Sequence, residues 1–316
     1  MTAPKLIRPA LHQPRSRVFE AARWDGYVAR ADDIVIATYS KCGTTWMQHI
    51  VSMLVFKSAE PRSVGDVSPW PDFRFMMPKG AIWPMAEAQT HRRFFKTHLP
   101  LDALPFYEGV KYVHVARDGR DAALSLHNHL ANFTPQALAI ADKISLADLM
   151  FADPFPRTTE DARAFFHDWV AHGQAGNDET LDFFHVERSY WAERKRPNIF
   201  FVHYNDLKAD LGGEMRRVAR FLGIEIDETL WPALIEAASF EAMRKNGDKI
   251  MPYAHALWEG GPSRFLHKGT NGRWRDLFAP EDLAAYDRKV AAAFPPPLAR
   301  WVEHGRRIAG DPKDAV

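Results

Sequence analysis

The stretch that most constrains how this chain can fold is Asp33 to Tyr39, DIVIATY. It is almost uniformly apolar and rich in β-branched residues, with no polar face to turn toward water. A strand of that kind has to be covered on both sides, as happens inside a parallel sheet. Directly after it, Trp46 to Lys57 carries apolar residues at Met47, Ile50, Val51, Leu54 and Val55, which is helical spacing. The unit strand, short glycine-containing loop, helix therefore opens the fold. It recurs. Arg93 to Lys96 reads as a strand ended by Pro100, and Lys111 to Ala116 as another, with Asp118 as N-cap of the following helix. Ile199 to Tyr204 reads as a fourth, followed by a helix through Glu214 to Leu222 that stops at Gly223. Strands alternating with helices predict an open parallel sheet with helices on both faces.

Two segments break this rhythm, one near 64–90 and one near 245–273. Both are rich in Pro, Gly, Trp and Met and are expected to be irregular binding loops or lids. The polar, Pro-punctuated stretch 1–17 reads as a surface arm, and with no convincing linker beyond it, 18–316 reads as one domain.

Composition narrows the function. Forty-one basic against 40 acidic residues leave a net charge of +1, which argues against a broadly basic surface for nucleic acid or anionic membrane. The longest apolar helical stretch, Ile50 to Phe56, is too short to span a bilayer, and the N-terminus lacks the apolar core of a signal peptide. A single cysteine forms no intrachain disulfide and fits a reducing compartment. A cytoplasmic enzyme acting on a small molecule is the expectation. No metal constellation is legible: there is no HExxH, no cysteine cluster, and His127 with His129 or His167 with His172 cannot converge on one helix face.

The loop Tyr39-Ser40-Lys41-Cys42-Gly43-Thr44-Thr45-Trp46 lies between the first strand and its helix. Amide groups at a helix N-terminus favour an anion, Gly43 permits close approach, and Lys41, Thr44 and Thr45 add charge and hydroxyl donors. It is not a Walker A loop, since the lysine precedes the glycine and GK[ST] occurs nowhere.

This loop resembles the YPKSGTTW motif of the cytosolic-type sulfotransferases that use 3′-phosphoadenosine 5′-phosphosulfate (PAPS). Three further segments match in the family's order. Lys96-Thr97-His98-Leu99-Pro100 is similar to the KTHLP segment. Arg117 to Ser125 is similar to RNPKDVAVS, and Phe265-Leu266-His267-Lys268-Gly269 with Gly272 and Trp274 is similar to FxRKGxxGDW. Smaller matches are Tyr204-Asn205-Asp206-Leu207 and Ser239-Phe240-Glu241-Ala242-Met243, the adenine side. With the elements above, the resemblance predicts an α/β, P-loop-like open parallel β-sheet of four to five strands.

It implies that residues Lys41 to Trp46, Cys42 included, hold the phosphosulfate end of PAPS, and that Arg117, Ser125 and Phe265 to Gly269 hold the 3′-phosphate. Tyr204, Ser239, Phe240 and Met243 would complete the nucleotide site. It also implies sulfuryl transfer to a hydroxyl or amine without a metal, with His98 as general base and Lys41 and Lys96 neutralising charge. Cys42 within this loop makes its thiol an expected chemical probe of the site. The chain departs from the family at His267 in place of arginine, Arg273 in place of aspartate and Ala238 in place of threonine. The family's dimer motif is not matched after Arg275, which leaves the oligomer open. An apolar or aromatic acceptor is expected between Trp70, Phe73, Met76, Met77, Ile82, Trp83, Phe133, Tyr253 and Trp258. A P-loop-like kinase, which would need magnesium, and a catalytically silent module that binds the product nucleotide PAP are the alternative readings.

Overall fold

The computed structural model describes residues 4–75, 77–173 and 179–316; Met76 and the first three residues of the arm lie outside these ranges. Its strands are β1 (Leu6–Arg8), β2 (Ile34–Ala37), β3 (Phe94–Thr97), β4 (Phe106–Tyr107), β5 (Lys111–Ala116) and β6 (Ile199–His203). Four of them form one parallel sheet in the order β3-β2-β5-β6.

Alternation along these strands sends side chains into two separate cores. Val35, Ala37, Phe95 and Tyr112 face one core, with Phe166 and Trp169 of the helix Ala162–His172, Tyr190 of Phe183–Ala192 and Trp301 of Pro296–His304. Ile34, Ile36, Phe94, Val113 and Val115 face the other. There they meet Met47, Ile50 and Leu54 of α1 (Thr44–Phe56) and Met215, Val218 and Leu222 of the helix Leu211–Leu222. β2 is completely buried along its length, as its apolar sequence predicts. The result is a three-layer α/β arrangement with helices on both sheet faces. Among the described residues no helix is long and apolar enough to cross a membrane.

Register aligns the carboxyl ends of the strands. Ala37 lies opposite both Thr97 and His114, and Ala116 lies opposite His203. The loops that follow therefore open along one edge, where an open α/β sheet places its ligands.

Segments 64–90 and 245–273 are less irregular than expected. Each is broken into short helices: Val64–Val67 and Ile82–Glu87 in the first, Gly247–Ile250, Ala254–Leu257 and Gly261–Phe265 in the second. Frequent Pro and Gly stop each after a turn or so, which hides them from a periodicity argument. The arm is tied down. β1 pairs antiparallel with β4, Leu11 N–H donates to the Asp102 carbonyl at 2.7 Å, and Ser16 and Arg17 are buried.

Candidate active site

The loop after β2 turns sharply. Lys41 and Gly43 both adopt left-handed backbone (φ 70° and 111°), and Gly43 is the N-cap of α1. A hydroxyl pair, Thr38 Oγ1 to Thr44 Oγ1 at 2.6 Å, ties the strand end to the first turn of the helix. Next door, β3 delivers Lys96 and His98. His98 Nδ1 lies 2.8 Å from the Thr38 carbonyl, which can only accept, so Nδ1 carries the proton and Nε2 keeps its lone pair. The His98 amide donates to Asp72 Oδ2 at 3.2 Å, and Asp72 also accepts from the indoles of Trp24 and Trp70. A carboxylate from the first irregular segment thus fixes the histidine's backbone.

The electrostatics are dominated by desolvation. Burial, with the charges of Lys96 and Arg117, pushes the Lys41 ammonium down to about 7. Burial pushes Lys96 down to about 7 as well, against the pull of Asp72, and its Nζ lies 3.4 Å from the Trp70 ring centre. His98 is held well below the usual imidazole range by burial and by Lys96 and Lys41. It is a neutral base flanked by two lysines that an arriving anion would charge.

Arg117, at the end of β5, lies with its guanidinium 4.2 Å from the centre of the Tyr204 ring. It donates to the Lys41 carbonyl at 3.2 Å and to Asn271 Oδ1 at 2.9 Å. Its Nε is buried with no hydrogen-bond partner. Asp118 caps α2 (Gly119–Leu130) through the Arg120 amide at 2.9 Å, as expected. Asp121, in the first turn of α2, accepts from the Gly272 amide at 2.9 Å and fastens the C-terminal loop to the helix. In that loop Gly269 is left-handed (φ 61°), and a Cβ there would come within 2.8 Å of the Phe240 ring. His267 is lowered by burial and by Arg273, Lys268, Arg264 and Arg244. The neutral imidazole can still donate an N–H, and Arg273 brings its charge to this cluster.

These elements surround a cavity of about 550 Å³. Lys41, Gly43, Thr44, Thr45, Trp46, Lys96, His98, Arg117, Ser125, Tyr204, Phe240, Met243 and Phe265 to Gly269 all line it. So do Trp70, Phe73, Met77, Ile82, Phe133, Tyr253 and Trp258 on the expected acceptor side.

Three expected residues do not. Cys42 is fully buried in the core, where burial raises its thiol well above the ordinary value, so it is no probe of the site. Trp83 packs against Trp24, Tyr27 and Phe95 and donates to the Arg23 carbonyl at 3.0 Å; it is core. Ser239 is the N-cap of the helix Phe240–Lys245, accepting from the Ala242 amide at 3.1 Å. The neighbouring Ala238 offers its carbonyl to Trp46 Nε1 at 2.8 Å, a contact that needs no threonine hydroxyl.

Among the lining residues that the sequence reading passed over, His129 stands nearest the chemistry. His129 of α2 lies with Nδ1 3.3 Å from Lys41 Nζ, enclosed by Phe133, Trp258 and Phe265. Burial and the charge of Lys41 hold it well below the usual imidazole range. The available signal was its spacing of four from Ser125, which puts both on one helix face.

Comparison with known proteins shows the family. The family model described as the sulfotransferase domain matches residues 31–294. A glycolipid sulfotransferase of Mycobacterium bovis is 32% identical over 311 residues, covering 93% of this chain and 94% of the relative. The fold is similar to that of a mouse sulfotransferase, SULT7A1, complexed with PAP (TM-score 0.67, 19% identity, 89% of this chain and 91% of that one). It is also similar to retinol dehydratase in complex with androsterone and PAP (TM-score 0.65, 23% identity, 86% and 83%). By sequence along most of its length, and with the matching strand–loop–helix at its centre, this chain belongs to the sulfotransferase family.

Proposed function

We propose that the protein moves a sulfuryl group from PAPS to a hydroxyl or amine of a small apolar or aromatic acceptor, with His98 as general base and no metal in the chemical step. The observation that carries this reading is the convergence of Lys41, Lys96, His98, Arg117, Lys268 and Arg273 on one cavity. PAPS carries a 3′-phosphate and a 5′-phosphosulfate, and this concentration of positive side chains suits an anion of that charge. The buried, unpartnered Nε of Arg117 fits a phosphate. The PAP in the mouse neighbour's complex supports the same donor.

In the proposed step His98 Nε2 takes the proton of the acceptor hydroxyl as its oxygen bonds to sulfur. The bond from sulfur to the bridging oxygen breaks, and Lys41 and Lys96 neutralise the charge left on the 5′-phosphate of PAP. Aromatic walls at Trp70, Phe73, Phe133, Tyr253 and Trp258 suit an apolar acceptor body. The name of the mycobacterial relative, a glycolipid sulfotransferase, and the androsterone in the retinol dehydratase complex point to amphiphilic or apolar molecules.

The test is an acceptor panel with labelled PAPS in the presence of a chelator, comparing the parent protein with His98→Ala. Transfer by the parent and loss in the variant, with PAP binding kept, is the expected result. Full activity in the variant removes the general-base role; transfer that needs added metal removes the metal-free step.

A further inference from the structure

Away from the cavity, three residues from separate parts of the chain meet. His12 belongs to the arm, Asp102 to the turn Leu101–Ala103, and His185 to the helix Phe183–Ala192. Their ligand-type atoms lie within 4.8 Å of one another. His185 Nε2 is 2.9 Å from Asp102 Oδ2, and His12 Nε2 is 3.1 Å from Asp102 Oδ1. None of the three is among the residues that line the cavity.

We propose that His12, Asp102 and His185 form a site for a borderline divalent cation, zinc by class. Two imidazoles and a carboxylate are a donor set that zinc takes, with a water in the fourth position. Ligands about 2.1 Å from a tetrahedral ion stand roughly 3.4 Å from one another; the two nitrogen–oxygen separations here are 2.9 and 3.1 Å, and all three ligand atoms lie within 4.8 Å. The decisive observation is at His12. Its Nε2 is buried and has no hydrogen-bond partner, although a carboxylate oxygen is 3.1 Å away. His12 Nε2 is thus close to the carboxylate without a geometric hydrogen bond to it, whereas His185 Nε2 is hydrogen-bonded to both Asp102 oxygens, at 2.9 and 3.2 Å, and would exchange that bond for the ion. The side chains are between 23% and 29% exposed, enough for an ion to enter and keep a water.

The position gives such an ion a consequence. Leu11, next to His12, already donates its amide to the Asp102 carbonyl, and Asp102 follows His98 by four residues. Seven residues beyond His12, the Phe19 ring lies 5.5 Å from that of His98. A cation would therefore clamp the two segments that wall the histidine, the arm and the turn after β3. It would act on stability and arm order, separately from the transfer chemistry.

The test uses the full chain, first stripped of metal with a chelator. Zinc is titrated against a chromophoric chelator, cobalt is added in parallel for its ligand-field spectrum, and melting is followed with and without zinc. The expected result is one equivalent of zinc, a tetrahedral-type cobalt spectrum, and a melting temperature raised by zinc. His12→Ala, a change in the arm, should weaken zinc by at least about tenfold and abolish the stabilisation, with PAP binding kept. His185→Ala should do the same. No saturable uptake by the parent, or unchanged uptake in either variant, overturns the site.

Discussion

The ammonium of Lys41 sits 3.3 Å from Nδ1 of His129, one turn of α2 beyond Ser125, and 3.9 Å from the centre of the Phe265 ring. The lysine of the anion loop is thus held by a neutral acceptor and an aromatic face. A hydrogen bond involving a charged group contributes about 1.5–3 kcal/mol. His129→Phe keeps the bulk and removes the acceptor. We expect kcat/KM to fall roughly tenfold or more, with a changed pH profile and little change in melting temperature. Steady-state kinetics across pH check this, and unaltered profiles would separate His129 from the lysine.

Donor binding should depend on pH with a definite sign. Lys41 and Lys96, both lowered to about 7 in the ligand-free protein, bind an anion best when protonated. PAP affinity should be full below about pH 7 and fall as pH rises above it, by about tenfold per unit for each proton taken up. Calorimetry at pH 8 in buffers of different ionisation enthalpy would register that uptake. The same shifts act oppositely on the empty protein. Unfolded lysines hold their protons up to their ordinary value of 10.5, so between 7 and 10.5 the unfolded chain binds more protons and stability rises with pH.

The thiol of Cys42 should be silent in the native state. It has no exposed surface, and burial keeps it protonated. A disulfide reagent should modify the folded protein only as fast as the loop or the whole chain opens, and denaturant should release one fast equivalent. Rapid stoichiometric labelling of folded protein would contradict the packing.

Arg93 and Asp33 form a fully buried ion pair at the amino ends of β3 and β2, with Nη2 to Oδ2 at 2.5 Å and Nε to Oδ1 at 2.8 Å. Tyr27 donates to the same carboxylate. Arg93→Met leaves a buried carboxylate without its cation, a loss of about 3–5 kcal/mol. Urea unfolding should show a lowered midpoint; an unchanged one would mean the carboxylate finds another partner or a proton.

What the sequence made legible follows from how locally each feature is encoded. The four strands and α1 were visible because burial on both faces and helical spacing leave short-range patterns. The loop from Ser40 to Trp46 and the pair Lys96 and His98 were visible as contiguous motifs. The order β3-β2-β5-β6 and the role of Asp72 were not, since each depends on segments that meet only in three dimensions. His129 was passed over because it was weighed as a metal ligand beside His127 rather than on the helix face it shares with Ser125. Cys42 and Trp83 were misplaced for a complementary reason. A motif fixes where the backbone goes, but which side a given residue faces depends on the sheet beneath it. His12, Asp102 and His185 are up to 173 residues apart in the chain, a spacing no motif search examines.

The left-handed backbone at Lys41 has a consequence for how this chain could be changed. An L-residue with a side chain pays roughly 1–2 kcal/mol to sit in that region, a cost glycine escapes. Relief of that strain would favour Lys41→Gly on folding grounds, as would removal of a poorly solvated ammonium. A selection for thermal robustness alone would therefore drift toward losing this side chain. Under the proposed function this side chain meets the anion, so engineering that ranks variants by melting temperature would erase it first.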